Sequence, residues 1–283
     1  MSELKNEFNK NGYFVVKNSF TDAEIQYYIG EFEKMNAVKS RNAWTVPDGV
    51  VQQKAFWPII FKEELLARIR EVLGDEIRFM QHNDLHYGYS SFAWHRDSIN
   101  RGYAETYPDW QEDKEPYLIV RAGCYLQPEE DNFCLGVLPG SHRFGEQLSK
   151  EEFCDIDSYL TKTQIAKAKL GLVDHLKEKA VWIKTQPGDC IVFDPRLIHT
   201  GGGFERRKYS FFTAYGVENF HFRQHYTYYR HLRKDLGYEA IPSALVNMLK
   251  ENGLYATEEK YNGKIEGAWV PSNLYSFVAN FFE

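Results

Sequence analysis

The sequence predicts a mostly β fold with flanking helices, a barrel or sandwich of short strands dressed with helices at both ends. Three observations carry this. From Ile77 to Ile198 the apolar residues fall in short strand-like runs, among them EIRFMQHNDLHYG, YLIVRAGCYLQP, CLGVLPG, AVWIKTQ and DCIVFDP. Helical periodicity is confined to the two flanks and to one interruption at about 149–179. The chain also carries 19 Tyr, 20 Phe and 6 Trp, side chains that suit pleated, half-buried surfaces.

The elements follow in order. Asn11-Gly12 turns into a short buried strand, Tyr13-Phe14-Val15-Val16. Thr21 or Asp22 caps the next helix, with Ile25, Tyr28, Ile29 and Phe32 on its apolar face. A second helix spans 63–73 and stops at Gly74. The strand run follows, broken by the helical insertion. Pro187-Gly188-Asp189 turns into a strand that ends near His199. TGGG and the strand KYSFFTAYGV come next, then a Tyr-rich helix (RQHYTYYRHLRKDLG) and a last one (PSALVNMLKENG). No repeat or linker divides the chain, so one domain over 1–283 is expected, with a core at about 10–216 and a helical extension at 217–283.

Bulk properties narrow the partners. The net charge of −6 argues against phosphate backbones, so no nucleic-acid partner is expected. No apolar run approaches the ~20 residues of a membrane helix, and the start has no basic-then-apolar signal. Cys124, Cys134, Cys154 and Cys190 form no C-x-x-C pair. They are expected as free thiols in a reducing, cytoplasmic setting, with neither a zinc site nor a disulfide framework.

The chemistry sits in three features. FAWHRDS places His95 two residues before Asp97, so in extended backbone both side chains point the same way. His199 ends a strand about a hundred residues later, and Arg207 follows eight residues on. Two imidazoles and one carboxylate on one face of an octahedron leave three open positions, the facial triad of non-haem Fe(II) oxygenases. A guanidinium one strand away suits the far carboxylate of a 2-oxo acid. H-x-D alone is a weak signal in a chain with nine His; the conjunction carries the argument.

NGYFVVKNSFTDAEI, WHRD at 94–97, VLPGSHR at 137–143 and PGDCIVFDPRLIHTG at 187–201 resemble, in order and spacing, the phytanoyl-CoA dioxygenase family of Fe(II)/2-oxoglutarate oxygenases. The resemblance covers most of 10–216 and implies a double-stranded β-helix, a jelly-roll or cupin-like barrel. It implies that His95, Asp97 and His199 hold Fe(II), and that Arg207 binds the C5 carboxylate of 2-oxoglutarate, with Arg206 the alternative if the register slips by one. Gln81 and Asn83, from the strand before H-x-D, and Thr200 are expected to border this cosubstrate. His142, in the G-S-H turn, is expected to be structural. The reaction implied is hydroxylation of an unactivated C–H bond of a small-molecule metabolite, consuming O2 and releasing succinate and CO2. Asp97 stands where related halogenases have a small residue, which favours hydroxylation over chlorination. Desaturation or cyclisation by the same iron, or a cupin-like metal-binding protein that is no oxygenase, are the alternatives. No coenzyme A signature is evident.

Arg121 lies in a strand expected to face inward, where a buried guanidinium needs an anion. A substrate anion and an internal salt bridge fit equally. Trp94 and Arg96, beside the ligand motif, are expected to reach substrate. The stretch 98–116 reads as an active-site lid or a plain surface loop. His82 and His86 read as ordinary, and the Tyr-rich run at 222–238 as packing onto the barrel.

Overall fold

A computed structural model describes residues 2–88, 94–127, 134–143, 180–202, 208–257 and 265–270. The helical insertion expected at about 149–179 and both Arg206 and Arg207 lie outside the described residues.

The N-terminal helices form where capping and periodicity place them. Helix α1 (Glu3–Asn11) is capped by Ser2 and ends at Gly12, in the left-handed region that glycine tolerates. Helix α2 (Asp22–Lys39) opens with a capping box: the Thr21 side chain accepts from the Glu24 N–H, and the Glu24 carboxylate accepts from the Thr21 N–H. Its Ile25, Tyr28 and Phe32 are buried. A short helix α3 (Gly49–Gln52) and a 3-10 stretch (Lys54–Phe61) lead to α4 (Glu63–Leu73), whose Leu65, Leu66, Ile69, Val72 and Leu73 face the core.

The strands are β1 (Tyr13–Val16), β2 (Trp44–Pro47), β3 (Ile77–Gly88), β4 (Ile119–Tyr125), β5 (Cys134–Val137), β6 (Val181–Lys184), β7 (Cys190–Phe193), β8 (His199–Gly202) and β9 (Lys208–Val217). Among the described residues they make two antiparallel sheets, a six-stranded one in the order β1-β7-β4-β9-β3-β2 and a three-stranded one in the order β6-β5-β8. Side-chain alternation gives each face of the large sheet its own task. Phe14, Val16, Leu85, Tyr87, Val120, Ala122, Val192 and Phe211 pack against α2, α4 and the 3-10 stretch in the main core. The opposite face contributes Tyr125, Ile191, Phe193 and Phe212, which meet Leu135, Val137 and Ile183 of the small sheet. The functional residues lie within this inter-sheet layer.

The cysteine expectation needs correction. Cys124 and Cys190 are joined as a disulfide, because β4 and β7 are neighbours and set these residues opposite each other with Cα atoms 4.3 Å apart. The partners are 66 residues apart in sequence, and the pairing is a product of strand order that no local motif announces.

Two C-terminal helices complete the described fold. Helix α5 (Phe220–Thr227) continues into a π-helical turn (Tyr228–Leu232), and α6 (Ser243–Glu251) buries Leu245 and Leu249 in the main core. The aromatic face of α5 packs onto the sheet, as its spacing predicts: Phe222 and Tyr226 join Met80, Ile119 and Ala214. No helix among the described residues is long and apolar enough to cross a membrane.

Candidate metal centre

His95, Asp97 and His199 come together. Each offers one ligand atom, and these atoms lie within 4.8 Å of one another. The backbone builds the cluster before the side chains do. His95 and His199 face each other in an isolated antiparallel bridge, each N–H donating to the other's carbonyl at 3.0 Å. Asp97 is tied next to it, its N–H donating to the Pro195 carbonyl at 2.8 Å. His199 belongs to β8, where it pairs with Val137 and shares its face with the inter-sheet layer.

The donor set suits a divalent cation. The His199 Nδ1–H donates to the Leu197 carbonyl at 2.9 Å, which leaves Nε2 with its lone pair toward the site. Nε2 of His95 and of His199 each lie 3.6 Å from an Asp97 oxygen. Bonds of about 2.1 Å in an octahedron put neighbouring donors about 3 Å apart, so only a small inward movement separates this cluster from coordination. Protonation fits as well, since metal ligands must be deprotonated. Burial alone would push the Asp97 carboxyl up, but the opposing charges, the Arg121 guanidinium foremost, hold the group well below the usual range. Burial pushes His199 down, against the pull of Asp97, so its ring is neutral.

Arg121 sits behind the cluster. Its Nη1 donates to Asp97 Oδ2 and its Nη2 to Asp84 Oδ2, each at 2.5 Å. All three side chains are largely buried. Both terminal nitrogens are therefore committed to protein carboxylates, and of the two readings of Arg121 the internal pair is the one the geometry displays. It is no remote salt bridge, because one partner is the candidate ligand itself. Asp84 shares the inward face of β3 with His86, and Lys208 of β9 stands across from Gly88. Burial lowers Lys208 to about 7, with Asp84 opposing the shift. Burial, then Lys208 and Arg121, hold His86 well below its ordinary value.

Other expected residues are placed elsewhere, each for a physical reason. Gln81 and Asn83 were expected at the cosubstrate, but β3 bulges between Met80 and Asp84 and turns them toward Asp48. Gln81 donates to Asp48 and to the Glu239 carbonyl. Asn83 donates to Asp48 and accepts from the N–H groups of Val50 and Val51, capping α3. Thr200 follows His199 in β8, so alternation turns it to the opposite face of the small sheet. The same alternation that aligns His95 with Asp97 sends Trp94 and Arg96 the other way. Trp94 packs with Leu138, Ile198 and Trp182. Arg96 donates to the Arg101 carbonyl and lies 5.6 Å from the Trp110 ring. His142 is structural as expected: it bonds the Asn9 carbonyl at 3.2 Å, and a Cβ at Gly12 would come within 2.5 Å of its Nδ1.

The stretch 98–116 is pinned in place. Asp109 accepts from the Asn100 N–H, and Arg196 donates to the Asp109 carbonyl and to Glu112. Asp84, Lys208 and Tyr229 are neighbours of the centre that sequence reasoning missed. Asp84 carried one usable signal, an acidic residue within a strand-like run; Tyr229 carried none.

Comparison with known proteins agrees with this arrangement. The profile of the phytanoyl-CoA dioxygenase (PhyH) family matches residues 8–205. Human peroxisomal phytanoyl-CoA dioxygenase is 25% identical over 222 residues, covering 71% of this chain and 63% of that protein. The Rattus norvegicus protein is 23% identical with the same coverage. The matched part thus amounts to less than two thirds of the length of these relatives. Among solved structures, HygX from Streptomyces hygroscopicus with nickel and 2-oxoglutarate bound superposes with a TM-score of 0.56 at 18% identity, covering 78% of this chain and 88% of that one. The non-heme alpha ketoglutarate dependent carbocyclase SnoK from nogalamycin biosynthesis gives 0.53 at 12% identity, covering 77% and 84%. These structural likenesses speak for the fold. With a family profile spanning more than half of its residues, the chain belongs to the phytanoyl-CoA dioxygenase family.

Proposed function

We propose that the protein is an Fe(II)/2-oxoglutarate-dependent dioxygenase that hydroxylates an unactivated C–H bond of a small-molecule metabolite. The observation that carries this is the His95–Asp97–His199 cluster, whose three ligand atoms lie within 4.8 Å of one another. HygX, of similar fold, has been seen with iron, with nickel and 2-oxoglutarate, and with hygromycin B as well. The strand arrangement supports a double-stranded β-helix in which the two sheets enclose the site.

Bound Fe(II), with 2-oxoglutarate and O2, would supply the oxidising power, with succinate and CO2 as coproducts. The protein's own residues bind, orient and exclude water. Arg121 occupies one Asp97 oxygen and leaves the other for the metal. Leu197 fixes the His199 tautomer. Phe193, with its ring 4.8 Å from that of His199, and Phe212 keep the inner side apolar. Arg207, by family resemblance, pairs with the far carboxylate of 2-oxoglutarate. The chain's acidic balance favours a metabolite over an acyl-CoA, whose phosphates want cations.

The test is succinate formation from 2-oxoglutarate by the Fe(II)-loaded protein during a metabolite screen, with mass spectrometry of the product. Hydroxylation predicts metabolite-stimulated succinate and a product heavier by one oxygen. A product lighter by two hydrogens assigns desaturation or ring closure to the same centre. A loaded protein that makes no succinate, even slowly without substrate, contradicts the proposal.

A further inference from the structure

Two local irregularities face each other beside the metal centre. In β3, Met80 pairs with Ala214 and Asp84 with Phe212, so Gln81, His82 and Asn83 bulge opposite Thr213 alone. Bulges re-aim side chains. In the C-terminal segment, α5 runs into the π-helical turn, in which the Arg233 N–H donates to the Tyr228 carbonyl at 3.0 Å. Such turns insert a residue and recur at functional sites.

Where the two meet, the His82 ring lies flat on Tyr229, centroids 3.5 Å apart and planes 18° apart. His82 Nδ1 shares a hydrogen bond with His225 Nε2 at 2.9 Å. His225 and Tyr229 are four residues apart on one helical face, their rings 4.9 Å apart. All three side chains are buried. Thus seated, the Tyr229 hydroxyl donates to the backbone carbonyl of Asp97 at 2.9 Å.

That bond differs in origin from the other anchors of Asp97. Pro195 holds its N–H, and Arg121 of β4 its carboxylate, both within the part of the chain that matches the family profile. Tyr229 comes from beyond residue 205, where that match ends. Taking Asp97 as a metal ligand, we propose that Tyr229 is a positioning residue of the centre, seated by His82 and His225. The C-terminal helical segment therefore completes the metal site. Holding the Asp97 carbonyl fixes the peptide plane from which the ligand carboxylate projects, and fixed ligands bind metal more tightly.

The experiment compares full-length wild type, Y229F and Y238F. Each is titrated with Co(II) alone against a metallochromic chelator and melted by circular dichroism. Y229F keeps the stacked ring and loses only the tether. Y238F is the control: Tyr238 is buried nearby and donates to the Asn83 carbonyl, without a bond to the three ligands. Expected are about 10-fold weaker Co(II) binding and a shifted visible spectrum at saturation for Y229F, with wild-type binding for Y238F whatever its melting temperature. Wild-type affinity and spectrum in Y229F, or equal weakening in Y238F, would overturn the proposal. Should Y229F not fold, H225Q, which unseats His82 and keeps the hydroxyl, must also weaken Co(II) binding; wild-type affinity there overturns it too. A wild type that takes up no Co(II) removes the metal reading itself, and this proposal with it.

Discussion

Nη1 of Arg121 lies 2.5 Å from Oδ2 of Asp97, so the guanidinium and the candidate ligand carboxylate form one buried pair. Asp84 completes the chain on the far side of the same guanidinium. Arg121 thereby occupies one Asp97 oxygen, leaves the other free to face the cluster, and supplies one positive charge to two buried carboxyl groups.

Removing that charge is the first prediction. Arg121→Met leaves two buried carboxylates without their cation, and losing one partner of a buried pair costs about 3–5 kcal/mol. Chemical denaturation is expected to show a loss of this size, together with weaker Fe(II) binding. Arg121→Lys keeps the charge but cannot span both carboxylates, so it should fall between wild type and Met. Wild-type stability and metal affinity in Arg121→Met would show that the pair does neither job.

Asn83 supplies the second. Its side chain caps α3 and holds Asp48, so Asn83→Ala should cost about 1–3 kcal/mol through unsatisfied buried groups. The 2-oxoglutarate concentration needed for half-maximal turnover should not change. A rise in that requirement at unchanged stability would return Asn83 to the cosubstrate.

Asp48 gives a pH dependence. Burial raises its carboxyl to about 6, against the hydrogen bonds from Gln52, Asn83 and Gln81. A folded-state pKa above the unfolded value means that the folded state takes up the proton more readily. The associated stability is fully present below about 4 and is lost as pH rises through about 6, by at most about 3 kcal/mol. Asp48→Asn should therefore show a smaller loss of stability than wild type between pH 4 and 6. Parallel stability profiles for the two proteins would contradict the assignment.

Arg207 is tested by substitution alone. Arg207→Leu should raise the 2-oxoglutarate requirement steeply by removing a charge-assisted, two-pronged pair. If Arg206→Leu does so and Arg207→Leu does not, the register assumed from the sequence is off by one.

How far the sequence was legible follows from the range of each signal. Local signals held well. The Thr21–Glu24 box, the 63–73 periodicity with Gly74 and the P-G-D turn before β7 depend on residues within one or two turns of each other. The triad was legible because H-x-D alternation and a strand-borne His are local patterns too. What escaped depends on which strands become neighbours. The Cys124–Cys190 pairing needs β4 beside β7, and the Arg121–Asp84 contact needs β3 and β4 on either side of β9. The bulge in β3 adds two residues and so keeps the parity, with Phe79, Leu85 and Tyr87 all in the main core; within it Gln81 and Asn83 turn to Asp48, a contact that no local pattern announces. Trp94, Arg96 and Thr200 carried a further signal, since the alternation that aligns the ligands points their immediate neighbours away.

The most direct test of the central claim is an anaerobic titration with Fe(II) and 2-oxoglutarate, followed in the visible range. Two-point chelation of Fe(II) by the 2-oxo acid gives a weak charge-transfer band. The wild-type protein is predicted to develop that band saturably, and His199→Ala to develop none while melting as a folded protein. A wild type without the band, or a His199→Ala protein that shows it undiminished, would contradict the assignment of His95, Asp97 and His199 as the iron ligands.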